Sequence, residues 1–191
     1  MIRRILLALL LVIAGALGYL ALDWLRPGTG GGAYGGPFSL VDQNGQPITE
    51  AALRGQPTMI FFGFTHCPEV CPTTLFEMSQ WFEALGEGGK DLKAYFFTVD
   101  PERDTPQLLG SYLSAVTDRV TGITGEPDKV WANAKAFGIY WKKVPLDDGD
   151  YTMDHTATVI LLKPDGSFFG TIAFGEASDS AVAKLKRLIK G

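Results

Sequence analysis

Pro57 to Thr65 reads PTMIFFGFT, an uncharged and almost wholly apolar run. It is short for a helix and rich in strand-favouring side chains, so it reads as a strand buried on both faces. Such a strand needs a packed layer above and below it. The next stretch, HCPEVCPTT, holds both cysteines of the chain, Cys67 and Cys71. After it, TTLFEMSQWFEALG carries apolar residues at Leu75, Phe76, Met78, Phe82 and Leu85, which is helical spacing, and ends at Gly86. A buried strand, a loop bearing two thiols and an amphipathic helix form the basic unit of an α/β fold. Folds of that class place their chemistry at the strand ends.

The remaining pattern extends this unit. LKAYFFTVD is a second buried strand, and TPQLLGSYLSAV is a helix with Thr105 as its cap and Pro106 at its first position. EPDKVWANAKAFG is a further helix closed by Gly138, followed by GIYWKKV as a strand. TATVILLKPDGSFFGTIAFG is a hairpin turning on Pro164-Asp165-Gly166, and DSAVAKLKRLIKG is a final amphipathic helix with basic residues in its last turns. Ahead of all these, FSLVDQNGQPIT is a short hairpin around Asn44-Gly45. The expected order is β–α–β–α–α–β–β–α after the leading hairpin, with GIYWKKV as an additional candidate strand before the last β–β pair. That is an α/β fold with a mixed central sheet and helices on both faces.

The N-terminus is a separate element. Arg3 and Arg4 precede a run without charge from Ile5 to Leu22, long enough as a helix to reach roughly 27 Å, close to a hydrocarbon core. Trp24 and Arg26 stand where interface anchors stand. Residues 1–26 are therefore expected to be a membrane anchor. A cleaved signal peptide is the alternative, with Ala14–Ala16 as its small-residue site; the apolar run continuing past that site favours the anchor. No cysteine ends the run, so a lipoprotein anchor is not expected. The basic N-terminus should stay cytoplasmic, giving a single-pass protein of the inner membrane with its soluble domain on the periplasmic side. Residues 27–37 contain six glycines and read as a flexible linker, and residues 38–191 read as the soluble domain. Beyond residue 26 the chain has 14 basic against 20 acidic residues, which argues against nucleic-acid binding.

Two cysteines four apart suit a disulfide, a reactive dithiol or a soft-metal clamp. On a helix, positions i and i+4 share a face, and a helix N-terminus stabilises thiolates. A disulfide closing so short a loop stabilises a fold least. The usual redox dithiol has two intervening residues rather than three. His155 precedes the apolar strand Thr156–Leu162, and its loop should open at the same end of the sheet as the cysteine loop. A lone histidine at a strand edge is ordinarily a packing or hydrogen-bonding residue; here the topology brings it towards two thiols. Two thiolates and one imidazole make a three-coordinate soft site, for which copper is the best metal. Zinc normally takes four ligands, and the remaining histidine, His66, adjoins Cys67 and should point elsewhere.

GFTHCPEVCPTT, VDPERDTP and the DH of TMDHTATVILL together closely resemble the Sco/SenC family. The resemblance covers roughly Phe38 to Lys190, with the three motifs in the family's order. It implies a membrane-tethered, thioredoxin-like copper protein that helps assemble the copper A centre of cytochrome c oxidase. It also implies that Cys67, Cys71 and His155 bind copper(I) or copper(II), and that the cysteines act as a thiol–disulfide pair towards the oxidase subunit. Asp100 and Asp154 are candidates for orienting a ligand through a hydrogen bond, with a turn or helix-cap role as the plainer reading of Asp100. Phe61, Phe62, Phe64, Phe96 and Phe97 read as core.

The leading expectation is a copper chaperone that takes copper from a donor protein and delivers it to the copper A subunit of the oxidase. The alternative is a membrane-anchored thiol–disulfide oxidoreductase that reduces the target's cysteines through Cys67 and Cys71. A redox or copper sensor is the third reading. For a peroxidase, no proton-shuttling or oxyanion-stabilising neighbourhood is visible in the sequence. His155 discriminates the first two, because a dithiol reductase needs no ligating histidine.

Overall fold

The structure, a computed structural model, describes residues 33–147 and 149–191 together with Gly15. The anchor expected over residues 1–26 lies, apart from Gly15, outside the described residues. Among the described residues no helix is long and apolar enough to cross a membrane.

Nine strands and four helices are described: β1 (Ser39–Asp42), β2 (Pro47–Thr49), β3 (Thr58–Gly63), α1 (Val70–Leu85), β4 (Lys93–Thr98), α2 (Pro106–Ser114), β5 (Thr121–Thr124), α3 (Pro127–Ala136), β6 (Trp141–Pro145), β7 (Tyr151–His155), β8 (Thr158–Leu162), β9 (Phe168–Ala173) and α4 (Ser178–Lys190). Seven strands form one sheet in the order β2-β1-β5-β4-β3-β8-β9, and β6 pairs with β7 alone. The centre is parallel, β3 with β4 and β4 with β5, and antiparallel strands flank it on both sides. All six residues of β3 are buried, as its unbroken apolar run requires.

Alternation along β3 and β4 sorts the aromatics onto two faces. Phe61 meets Phe96, which in turn meets Tyr112 of α2. On the other face Phe62 stacks on Phe97 at 5.2 Å, and both reach Phe137 beyond α3. Helices therefore cover both faces of a mixed sheet, as the sequence pattern implies. Thr105 caps α2 by accepting the Leu108 N–H at 3.2 Å, with Pro106 at the first turn. The leading hairpin turns through Gly45 at φ +75°, a conformation that costs glycine nothing.

Two strands go beyond the expected order. Thr121–Thr124 is only four residues long and carries Gly122, where a Cβ would fall 2.8 Å from Leu113. Its strand state follows from pairing with β4 and β1 rather than from local pattern. Tyr151–His155, expected as a loop, pairs with β6 in the register Trp141↔His155 and Pro145↔Tyr151. Tyr34, in the glycine-rich segment, donates its N–H to the Gly166 carbonyl and packs its ring on Phe137 and Phe168.

Candidate metal centre

The site is built at the C-terminal ends of β3 and β4. After Gly63 the chain passes buried Phe64 and turns, with the Cys67 N–H donating to the Phe64 carbonyl. Asp104, fully buried, anchors this turn. Its carboxylate accepts the Thr65 hydroxyl at 2.6 Å, the Thr65 N–H at 3.1 Å and the Thr98 hydroxyl at 2.6 Å. Burial raises the pKa of Asp104, and these hydrogen bonds oppose that rise.

The two cysteines do not meet as i and i+4 on a helix. α1 begins at Val70, so Cys67 lies in the loop before it and only Cys71 is helical. Cys67 Sγ instead accepts the Cys71 N–H at 3.3 Å, which places the sulfur over the exposed donors of the first helical turn. Cys71 Sγ is 3.5 Å from His155 Nε2. His155 Nδ1 lies 3.1 Å from the Thr156 carbonyl, which can only accept, so Nδ1 carries a proton and Nε2 is the ring nitrogen turned to the sulfurs. Phe61 and Phe64 meet the imidazole edge-on, at 6.2 and 5.7 Å between centroids, and limit its rotation.

All three donor atoms lie within 4.8 Å of one another. An ion held at about 2.0–2.3 Å from three donors needs a triangle of side about 4 Å, so a small closure suffices. Cys71 is fully buried, whereas Cys67 and His155 are half-buried and line a cleft of about 270 Å³ with Phe64, Glu69 and Met153. A larger cavity of about 460 Å³ lies along β1 and the start of α2 and has no thiol or imidazole in its wall.

The sulfurs differ in protonation. The hydrogen bond from the Cys71 thiol pulls the Cys67 pKa well below its ordinary value; contacts with His155 and the Cys71 N–H add to this, and burial opposes it. That same contact, with burial and the Cys67 charge, pushes the Cys71 thiol up. The pair is therefore a thiolate at the cleft and a thiol beneath it. Both cysteines are free.

The other sequence candidates fall outside this cluster. His66 is exposed and contacts Thr65. Asp154 is exposed on β7, opposite Lys142, and bonds neither sulfur nor imidazole. Asp100 is fully buried, but its carboxylate accepts from the Tyr151 hydroxyl and Arg103 Nε, not from a ligand side chain. Sequence reasoning missed Asp104 although it stands inside VDPERDTP; its signal was a carboxylate within a motif at a strand end. It also missed Gly63, where a Cβ would lie 2.9 Å from Cys71 Sγ and 2.8 Å from Phe96. Gly63→Ala is expected to cost roughly 1–3 kcal/mol through overpacking and to displace the Cys71 sulfur. Denaturant midpoints and the alkylation rate of the cysteines measure the two effects; a midpoint unchanged from wild type would show that the contact is not tight.

Comparison with known proteins finds a match to the SCO1/SenC family model over residues 26–190. A protein of Arabidopsis thaliana, "Protein SCO1 homolog 1, mitochondrial", is 37% identical over 143 residues, which are 74% of this chain and 43% of that protein. The chain thus spans less than half the length of this curated relative. Among solved structures, Bradyrhizobium japonicum ScoI with copper bound is 47% identical, with a TM-score of 0.75 over 82% of this chain and 99% of that one. Yeast Sco1 with copper bound is 33% identical, with a TM-score of 0.77 over 83% of this chain and 90% of that one. The architecture shared with these structures is a mixed α/β, thioredoxin-like fold.

Proposed function

The chain belongs to the SCO1/SenC family, and from that membership we propose that it carries copper on Cys67, Cys71 and His155 and passes it to the copper A subunit of cytochrome c oxidase. The observation that carries this reading is the convergence of two sulfurs and an imidazole nitrogen within 4.8 Å at the wall of an open cleft. Soft thiolates favour copper(I), and three donors leave unfilled the fourth position that zinc prefers. A cargo site also has to release its ion. The half-buried Cys67 and the cleft beside it give an incoming partner thiolate room to replace one ligand at a time. Copper-bound relatives of the same architecture support the choice of metal. A donor protein supplies the copper. Residues 1–26 anchor the chain in the inner membrane, residues 27–37 link it, and the domain from residue 38 to 191 works on the periplasmic side.

A second reading has its own observation. A low-pKa thiolate at Cys67 beside a protonated, buried Cys71 is the arrangement of a thiol–disulfide reductase. Here Cys67 attacks a target disulfide to form a mixed disulfide, and Cys71 then displaces the second target thiol. His155→Ala separates the two readings. It is expected to leave dithiol–disulfide cycling intact and to lower copper affinity by at least the ~10–100-fold that loss of an outer partner costs. Copper titration of the reduced protein, followed by the sulfur-to-copper(II) charge-transfer band, measures this. Undiminished affinity in the variant would remove His155 from the ligand set, and absence of copper uptake by the reduced wild-type protein would sink the copper reading and leave the reductase.

A further inference from the structure

We propose that Asp100, Arg103 and Tyr151 form a clasp that positions His155, so that residues 99–104 set the distance between the imidazole and the sulfurs. The proposal rests on the copper reading above and adds how the third ligand is held. His155 ends β7, and the β6–β7 ribbon shares no ladder with the seven-stranded sheet. Thr156, Phe61 and Phe64 touch the ring itself, and the ribbon that carries it has to be held from outside the ladder, which Arg103 does at the far end of β7. Its Nε donates to buried Asp100 at 2.5 Å, and its Nη1 donates to the Tyr151 carbonyl at 2.9 Å and to Asp150 at 3.1 Å. The guanidinium carbon stands 3.7 Å from the Tyr151 ring centroid, and the Tyr151 hydroxyl closes the circuit onto Asp100 at 2.7 Å. The ribbon's other strand is tied to the same region. Lys143 pairs with Glu102, and Trp141 stacks at 4.9 Å on Trp131, whose indole N–H donates to the Val99 carbonyl.

The neighbouring residue holds the opposite half of the site. Asp104 binds Thr65 at the start of the cysteine loop, while Arg103 binds Tyr151 on the histidine strand. One short loop thus brackets thiols and imidazole together. Tyr151, Met153 and His155 lie on one face of β7, and four residues of strand span about 13 Å. A shift at Tyr151 is carried along that rigid strand to the imidazole. The cysteine loop between β3 and α1 keeps its own anchor on Asp104 and does not follow that shift. The clasp therefore sets the place of the imidazole and leaves the backbone of the cysteine loop where it is. Arg103, Asp100 and Tyr151 are positioning residues, since none of them touches the donor atoms.

Tyr151→Phe removes only the hydroxyl bond to Asp100, and Arg103→Lys keeps the charge but loses the planar fork. Neither leaves a buried carboxylate without a cation. Two readouts on the full chain test the proposal. In the metal-free protein, NMR contacts from the His155 ring to Phe61 and Phe64 should weaken in both variants, while the exchange protection of the Thr65 amide, held by Asp104, stays at the wild-type value. With copper(I), affinity should fall about 10-fold in each variant and fall no further when the same change is made in a His155→Ala background. Equal losses in both backgrounds would mean general destabilisation and overturn the clasp. Unchanged ring contacts, or altered contacts with wild-type copper affinity, would overturn it as well. If the wild-type chain takes up no copper, the copper reading fails, and the ring contacts alone still decide whether the clasp positions His155.

Discussion

Replacing Cys71 by serine is expected to abolish copper binding by the reduced protein, and Cys67→Ser to do the same. Each change removes a soft donor from a set of three, and a serine hydroxyl is neither soft nor ionised at neutral pH. The loss should exceed the ~10–100-fold typical of removing an outer hydrogen-bond partner. Cys71→Ser carries an added cost. That side chain is fully buried beneath Gly63 and Phe96, so a hydroxyl there needs a new partner in an apolar setting. Cys67→Ser removes the sulfur that lies over the first turn of α1 but leaves a cap-forming oxygen in its place, so it should fold as well as wild type. Equilibrium dialysis against a copper(I) chelator and the charge-transfer band of the copper(II) form measure both. Tight stoichiometric binding that survives either substitution would remove the cysteines as ligands.

Oxidising Cys67 and Cys71 to a disulfide is expected to expel copper, and copper to block the oxidation. One pair of sulfurs serves both states, and only thiolates ligate the metal. The sulfurs already lie within the 4.8 Å cluster, and bond formation brings them to about 2.05 Å with little movement of a short loop. Oxidised protein should therefore take up almost no copper until a reductant is added. Copper(I) should in turn slow iodoacetamide labelling of Cys67, the thiolate of the pair and the faster of the two to react. Mass spectrometry of labelled protein reads both effects. Equal copper uptake by oxidised and reduced chains would place the ion away from these residues.

Much of the fold was legible because its signals are local. The six-residue buried strand β3, the capped helix α2 with Thr105 and Pro106, and the hairpin over Pro164-Asp165-Gly166 each announce themselves within a dozen residues. β5 did not, since four residues including a glycine carry no pattern and become a strand only when β4 and β1 stand on either side. β7 failed for a related reason. Tyr151, Met153 and His155 alternate with polar Thr152 and Asp154, and the ribbon they join lies outside the main sheet. The three candidate donors were legible by type and spacing, but their geometry was not. Helical spacing suggested two sulfurs on one helix face, yet α1 starts at Val70 and leaves Cys67 in the loop.

What the sequence determined by itself was the set of chemical groups and the elements that carry them: two thiols between a buried strand and a helix, an imidazole before another strand, and a motif at the end of β4. These follow from side-chain chemistry and from periodicities of two and 3.6 residues, which need no knowledge of distant parts of the chain. Tertiary structure alone decided that Cys71 and His155, 84 residues apart, meet at 3.5 Å, and that Asp100 serves Arg103 and Tyr151 rather than a ligand. The physical reason is that these contacts are made between elements. They depend on the pairing of β6 with β7, on which face of β7 turns inward, and on one buried loop whose neighbouring residues Arg103 and Asp104 reach in two directions.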